Sequence, residues 1–208
     1  KAPTILQQAF GVDIKNLVTL SFLTHELNGE QVFIAKTEET GELDFEILGP
    51  TQAIIIAWEK LAKIGKHLEL RPIGTQARET LRIEAGIPKF GPDLNENIVP
   101  SEANLEKKAV SLNKGCYPGQ EVVARMDTYG SVKRRLVGLF VNMSDSATLS
   151  VGSKVLSGSR EVGWISSTIH SPTLNKRIAF AFLLRDFTTQ QTKLTVKMEE
   201  ECYIATVQ

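Results

Sequence analysis

The sequence predicts an α+β layer followed by a small all-β unit, on three observations. Period-two apolar runs separated by turn dipeptides open the chain. Two stretches of helical spacing follow them. From Val132 onward, short apolar runs alternate with Gly, Ser, Asn and Thr turns, the texture of a small barrel or sandwich.

Three strands are expected first, over residues 18–23, 31–36 and 43–48. Asn28-Gly29 lies between the first two, a dipeptide suited to a tight hairpin turn. Thr40-Gly41 separates the second from the third, in which Leu43, Phe45 and Ile47 alternate toward a core. Gly49-Pro50 starts a helix, because proline suits the first helical turn. Ile54, Trp58, Leu61 and Ala62 then recur at helical spacing up to Gly65. A short strand is expected around residues 67–70. A second helix should run from Thr75 as N-cap to Gly86 as C-cap, with Ala77, Leu81 and Ala85 as its apolar stripe. Strands first, helices interleaved and hairpin turns together give the α+β layer.

Residues 86–113 hold Pro88, Gly91, Pro92 and Pro100 among many polar side chains and read as a structured connector. Strands are then expected over 136–141, 162–169, 178–184, 194–198 and 203–207. The domain boundary is placed near Gly130, dividing the chain into residues 1–130 and 131–208.

The chain has 208 residues, enough for one large domain or two small ones. Hydrophobic residues at 42% and charged residues at 23% fit a globular chain and exclude a disordered one. Lys plus Arg equals Asp plus Glu at 24 each, so no global field draws nucleic acid or an anionic membrane. No direct DNA binding and no membrane partner are expected. The two cysteines, Cys116 and Cys202, cannot build a disulfide framework, which favours a reducing compartment. The longest apolar run, 53–57, is too short to span a bilayer. The chain begins at Lys1 without an initiator Met, as a fragment or a processed product would.

Among candidate functional residues, Cys116 carries the most information. It sits in Lys114-Gly115-Cys116-Tyr117-Pro118-Gly119-Gln120-Glu121, a turn-rich string that exposes backbone and side chains. In an extended segment Lys114 and Cys116 would share a face, and an ammonium beside a thiol favours the nucleophilic thiolate. Against this, free cysteines are often packed and inert, and local chemistry alone favours that reading. Glu84 lies three residues after Leu81, on the edge of a helical apolar stripe, where a carboxylate needs a donor. Arg78 or Arg82 could supply it, as could the N–H groups of a heterocycle such as a pterin.

Glu42, Asp44 and Glu46 place acids on one strand face, but the three histidines are scattered, and a solvated face is the better reading than a metal site. No metal ligand set is expected. Lys133-Arg134-Arg135 with Arg125 could hold a polyglutamate tail or RNA phosphates, although a solvated turn is favoured because no aromatic platform accompanies it. Phosphate-loop, dinucleotide-loop, Ser-His-Asp and C-x-x-C signatures are absent.

Three segments resemble one family. Thr40-Gly41-Glu42 through Phe45-Glu46-Ile47 resembles a segment of the glycine-cleavage T protein, an aminomethyltransferase. Ala77-Arg78-Glu79-Thr80-Leu81-Arg82-Ile83-Glu84-Ala85-Gly86, with Gly91-Pro92-Asp93-Leu94, resembles its A-R-x-x-L-R-x-E-A-G…G-x-D-L stretch. Arg135-Leu136-Val137-Gly138-Leu139, Ser171-Pro172-Thr173-Leu174 and Ile178-Ala179 resemble its C-terminal barrel. Within this family, the string at 114–121 resembles the K-G-C-[FY]-x-G-Q-E signature of the YgfZ-type branch, which the aminomethyltransferases lack. That branch binds tetrahydrofolate and supports the assembly or repair of iron–sulfur enzymes, including tRNA-modifying ones.

The resemblance implies a ferredoxin-like α/β layer followed by a small C-terminal β-barrel. It implies tetrahydrofolate or a one-carbon derivative as cofactor, and iron–sulfur proteins or their assembly factors as partners. Cys116 and Lys114 become the functional pair, and the string's identity reverses the local preference for a buried thiol. Glu84, Arg78, Lys114, Tyr117, Gln120, Glu121 and Arg125 become cofactor-binding candidates. Where some YgfZ-type proteins place a tryptophan against folate, this chain has Arg78, as the aminomethyltransferases do. Folate-dependent aminomethyl transfer is therefore the alternative function, and a binding module with a structural cysteine the second alternative. The resemblance begins partway into the family pattern, so the N-terminal portion that contributes part of the folate pocket is expected outside this chain. The compartment would be cytoplasmic in a bacterium, and the mitochondrial matrix or plastid stroma in a eukaryote.

Overall fold

Asn28-Gly29 sets the register of the first sheet. In the computed structural model both residues have positive φ, 54° and 82°, and Leu27 pairs with Glu30 across them. That is the two-residue hairpin whose twist matches its strands. The structure describes residues 1–111, 113–129, 132–144, 147–199 and 201–208, without the side chains of 126–129. The chain divides into two compact units, Lys1–Ile87 and Pro88–Gln208. Gly130, where the sequence placed a boundary, lies outside the described residues.

The first unit opens with helix α1 (Ala2–Phe10), which the apolar pattern did not announce. Proline in its first turn and Gly11 at φ 69° frame it, and Ile5, Leu6 and Phe10 are its buried face. Strands β1 (Phe22–Leu27), β2 (Glu30–Thr37) and β3 (Asp44–Leu48) form an antiparallel sheet in sequence order. The first strand begins later than expected. Val18 to Ser21 form a turn instead, closed by the Ser21 N–H donating to the Val18 carbonyl at 3.1 Å, with Leu20 at φ 63°. The hairpin fixes the register from Leu27 backward, so Phe22 becomes the strand's first residue.

Leu43, expected on the core face, is 50% exposed. The strand starts one residue later, and the Asp44 carboxylate accepts the Thr40 backbone N–H at 2.8 Å and its hydroxyl, holding the turn closed. Phe45 and Ile47 pack against the core as expected.

Helix α2 (Thr51–Gly65) starts after Pro50 and buries Ala53 and Ala57; of the periodic set, Leu61 packs against the core of this unit, while Trp58 is 63% exposed. The small alanines let the helix lie close to Val32 and Ile34 in the core of this unit. The α-helix ends at Gly65, as expected, and the chain runs on into a 3-10 turn, Lys66–Leu68, which replaces the strand expected there. A Cβ on Gly65 would lie 2.4 Å from the Leu70 side chain.

Helix α3 (Thr75–Glu84) is capped by Gly74 rather than Thr75. Its buried residues are Arg82 and Ile83, while Ala77 and Ala85 are exposed. Gly86 at φ 76° ends it, with the Ile87 N–H donating to the Arg82 carbonyl at 2.9 Å, as a glycine after the cap allows.

In the second unit the connector is ordered by a 3-10 turn (Pro100–Ala103) and helix α4 (Glu106–Ala109). Helix α5 (Gln120–Tyr129) begins on the last two residues of the string at 114–121. Strands β4 (Arg134–Asn142), β5 (Lys154–Ser157), β6 (Arg160–Ser171), β7 (Lys176–Leu184), β8 (Lys193–Met198) and β9 (Glu201–Val207) close into a barrel of order β4-β7-β6-β5-β8-β9. Pairing of β9 with β4 settles barrel against sandwich. Leu139, Val141, Val155, Ile165, Ala181, Leu183, Val196, Ala205 and Val207 fill its interior. At Gly163 a Cβ would lie 2.0 Å from the Phe182 carbonyl oxygen, so β6 and β7 approach there only because no side chain intervenes.

Candidate functional site

The connector is fixed to the barrel before it reaches the string at 114–121. Asp93 is fully buried and accepts the Lys89 backbone N–H at 3.1 Å. One of its oxygens also accepts the hydroxyls of Ser166 and Ser167, at 2.6 and 2.7 Å. Successive strand residues normally point to opposite faces. Here the register of β6 on β7 shifts between Ile165 and Ser167, and the irregularity lets both serines reach one carboxylate. Asp93 stands in the quoted G-x-D-L stretch, yet nothing in the sequence announced its two serine partners.

Further along, Arg134 of β4 holds the 3-10 turn. Its guanidinium donates to the Glu102 carboxylate at 2.8 and 3.4 Å and to the Asn97 carbonyl at 3.2 Å. The same group lies 4.8 Å from the Trp164 ring, which stacks on Phe182. Arg135 donates to Asn104 and Glu106 at 3.2 and 3.4 Å. Two of the three consecutive cations expected as a solvated or polyanion-binding patch therefore tie the connector to β4.

Cys116 is exposed on the loop before α5. The local preference for a packed thiol is thereby corrected: the chain bends at Asn113, Lys114 and Gly115 and turns again at Pro118-Gly119, where Gly119 has φ 84°. The Lys114 ammonium sits 5.0 Å from the Tyr117 ring centroid, a cation–π contact. Tyr117 is half-buried, and its hydroxyl is buried without a hydrogen-bond partner among the described residues. Gln120 braces the bend: its side-chain oxygen accepts the Tyr117 N–H at 3.4 Å, and its own N–H donates to the Tyr117 carbonyl at 3.2 Å. Glu121 and Arg125 pair at 2.7 Å one turn apart on the exposed face of α5.

The remaining candidates belong to the first unit. Glu84 is half-buried at the last turn of α3. Arg78 pairs with Glu39, and Arg82, buried, pairs with Glu79 at 2.7 Å and donates to the Ile87 carbonyl at 3.0 Å. The structure thus brings Lys114, Tyr117 and Gln120 together around the bend that exposes Cys116, and sets Arg78 and Glu84 on one helix. Among the described residues no group of three or more His, Cys, Asp or Glu could hold a metal ion. No helix among them is long and apolar enough to cross a membrane.

An α+β layer, a clasped connector and a closed six-stranded barrel define a known class of protein. The profile of the GCVT N-terminal domain matches residues 1–114, and that of the glycine cleavage T-protein C-terminal barrel domain matches residues 134–208. The chain belongs to the glycine cleavage T-protein family. It is 34% identical over 184 residues to the aminomethyltransferase of Thermoanaerobacter sp. (strain X514), covering 88% of this chain and 49% of that protein. It is 42% identical over 151 residues to that of Xylella fastidiosa (strain M12), covering 72% and 39%. The solved glycine cleavage system aminomethyltransferase T from Bartonella henselae shares the fold with a TM-score of 0.85, at 22% identity, over 100% of this chain and 55% of that one. The chain spans about half the length of the curated relatives it matches.

Proposed function

We propose that the protein of which this chain forms part binds a tetrahydrofolate and acts as a folate-dependent aminomethyltransferase. The observation that carries this reading is the match to T-protein profiles, together with relatives named as aminomethyltransferases. Within the first unit, the half-buried Glu84 carboxylate can accept N–H groups of a pterin. Tetrahydrofolate itself supplies the nitrogens that receive the one-carbon unit.

Titration calorimetry on the intact protein is expected to give saturable tetrahydrofolate binding, weakened about tenfold or more by Glu84→Ala. Supplied with an aminomethyl-loaded carrier protein, it should form methylene-tetrahydrofolate, releasing the amine nitrogen as ammonia and the unloaded carrier. Saturable folate binding with no turnover would sink the transferase and leave the folate protein standing.

A second reading has its own observation. The exposed Cys116, in a string that resembles the YgfZ-type signature, is not needed for aminomethyl transfer as proposed above. It supports a folate-binding protein that maintains iron–sulfur enzymes. Cys116→Ala in the intact protein should then lower cellular iron–sulfur enzyme activities while folate binding persists. Intact activities would exclude this role.

A further inference from the structure

The barrel carries a groove of ≈ 440 Å³ that the folate reading does not use. It is lined by the end of β4, the start of β7 and the end of β9, including Asn142, Asn175, Lys176, Arg177, Gln191 and Thr206. The topology explains the gathering, since Val141 pairs with Arg177 and Phe140 with Thr206 across adjacent strands. The hairpin from β6 closes through Pro172 to Asn175, and Asn175 takes φ 51°, a conformation asparagine tolerates. Lys176 and Arg177 therefore enter β7 side by side at the groove.

Charge separates this groove from another on the same barrel. That one, of ≈ 490 Å³, sets Glu102 and Glu161 against Lys133 and Arg134. In the first, two cations stand among amides and a hydroxyl, and among the described residues no carboxylate side chain lines it. The Lys176 ammonium is held 4.8 Å from the Phe140 ring. Arg177 spends one terminal nitrogen on the Ala147 carbonyl at 3.1 Å, while its Nε–H is buried with no acceptor. A guanidinium with a buried, unsatisfied N–H carries an uncompensated cost, and an anion in the groove offsets part of it through its charge. The volume falls in the range of small-molecule sites.

We propose that this groove binds a small dianion, either a phosphate or a dicarboxylate, through Arg177 and Lys176, with the Asn142, Asn175 and Gln191 amides as neutral partners. Phosphate and dicarboxylate share the required chemistry, two negative charges on planar or tetrahedral oxygens, so each is tested by its own probe. Inorganic phosphate is followed by 31P line broadening on the intact protein, and succinate by saturation-transfer difference, both at constant ionic strength. Saturable binding of either probe identifies the source, and mutual competition identifies one shared site. Arg177→Gln is expected to weaken binding about tenfold, and Lys176→Gln roughly threefold. Lys176 is exposed, so its variant keeps the test valid if Arg177→Gln fails to fold. Linear, unsaturable responses, or binding unchanged in a folded Lys176→Gln protein, would overturn the assignment.

Discussion

The two sheets of this protein solve one problem differently. The three-stranded sheet is open among the described residues: in its order β1-β2-β3 each outer strand pairs on one side. In the barrel every strand pairs on both sides, because β9 returns to β4. The open sheet also leaves apolar side chains in contact with solvent, with Phe22 61% and Leu48 51% exposed on the face away from Val32 and Ile34. The barrel turns its apolar residues into one interior, where Leu139, Val155, Ile165, Ala181, Leu183, Val196, Ala205 and Val207 are all fully buried. Closure makes the second sheet sensitive to any atom added between strands. An open sheet tolerates more, because its turns and edges can shift.

Each unit holds one tryptophan, Trp58 in α2 and Trp164 in β6, so urea unfolding in Trp58→Phe and Trp164→Phe backgrounds reads the two regions separately. Gly163→Ala should have the largest effect, lowering barrel stability by roughly 3 to 4 kcal/mol, since the clash is with backbone and no rotamer relieves it. If the Trp58 transition moved equally, the contrast between the regions would collapse. Asp93→Ala should cost about 3 kcal/mol by stranding two hydroxyls and an N–H. A loss below about 1 kcal/mol would show that water replaces the carboxylate. Gly29→Ala, in the open sheet, should cost about 1 kcal/mol through its positive φ alone, read in the Trp58 transition. Cys116→Ser should change neither transition by more than about 0.5 kcal/mol, as the side chain is exposed. Wild-type protein should accordingly yield both Cys116 and Cys202 to a thiol reagent without denaturant, and protection of Cys116 would contradict its placement.

Legibility tracked how local each determinant is. Asn28-Gly29 announced its hairpin, but the strand before it was placed too early, because Val18 and Leu20 look like strand residues and are spent in a turn. Helical spacing found α2 and α3 and misjudged part of each face. In α2 the small Ala53 and Ala57 face inward while the larger Trp58 does not. In α3, Arg82 is buried by its pairing with Glu79, which no apolar count detects. Among the candidate residues, the string at 114–121 was recognisable as a string. The orphaned Tyr117 hydroxyl and the brace from Gln120 were not, since both depend on how the loop bends.

By itself, the sequence determined the succession β1, β2, β3, α2 and α3, the hairpin turn, the all-β character of the chain after Val132 and the family. These rest on periodicity, on backbone preferences of glycine, asparagine and proline, and on contiguous strings, all of which act within a few residues. Tertiary structure alone decided that β9 closes on β4, that Asp93 meets Ser166 and Ser167, that Arg134 clasps Glu102, and that Lys176 and Arg177 share a groove with β9. Those outcomes join residues tens of positions apart, and their energy comes from burial and charge pairing that exist only once the strands have met.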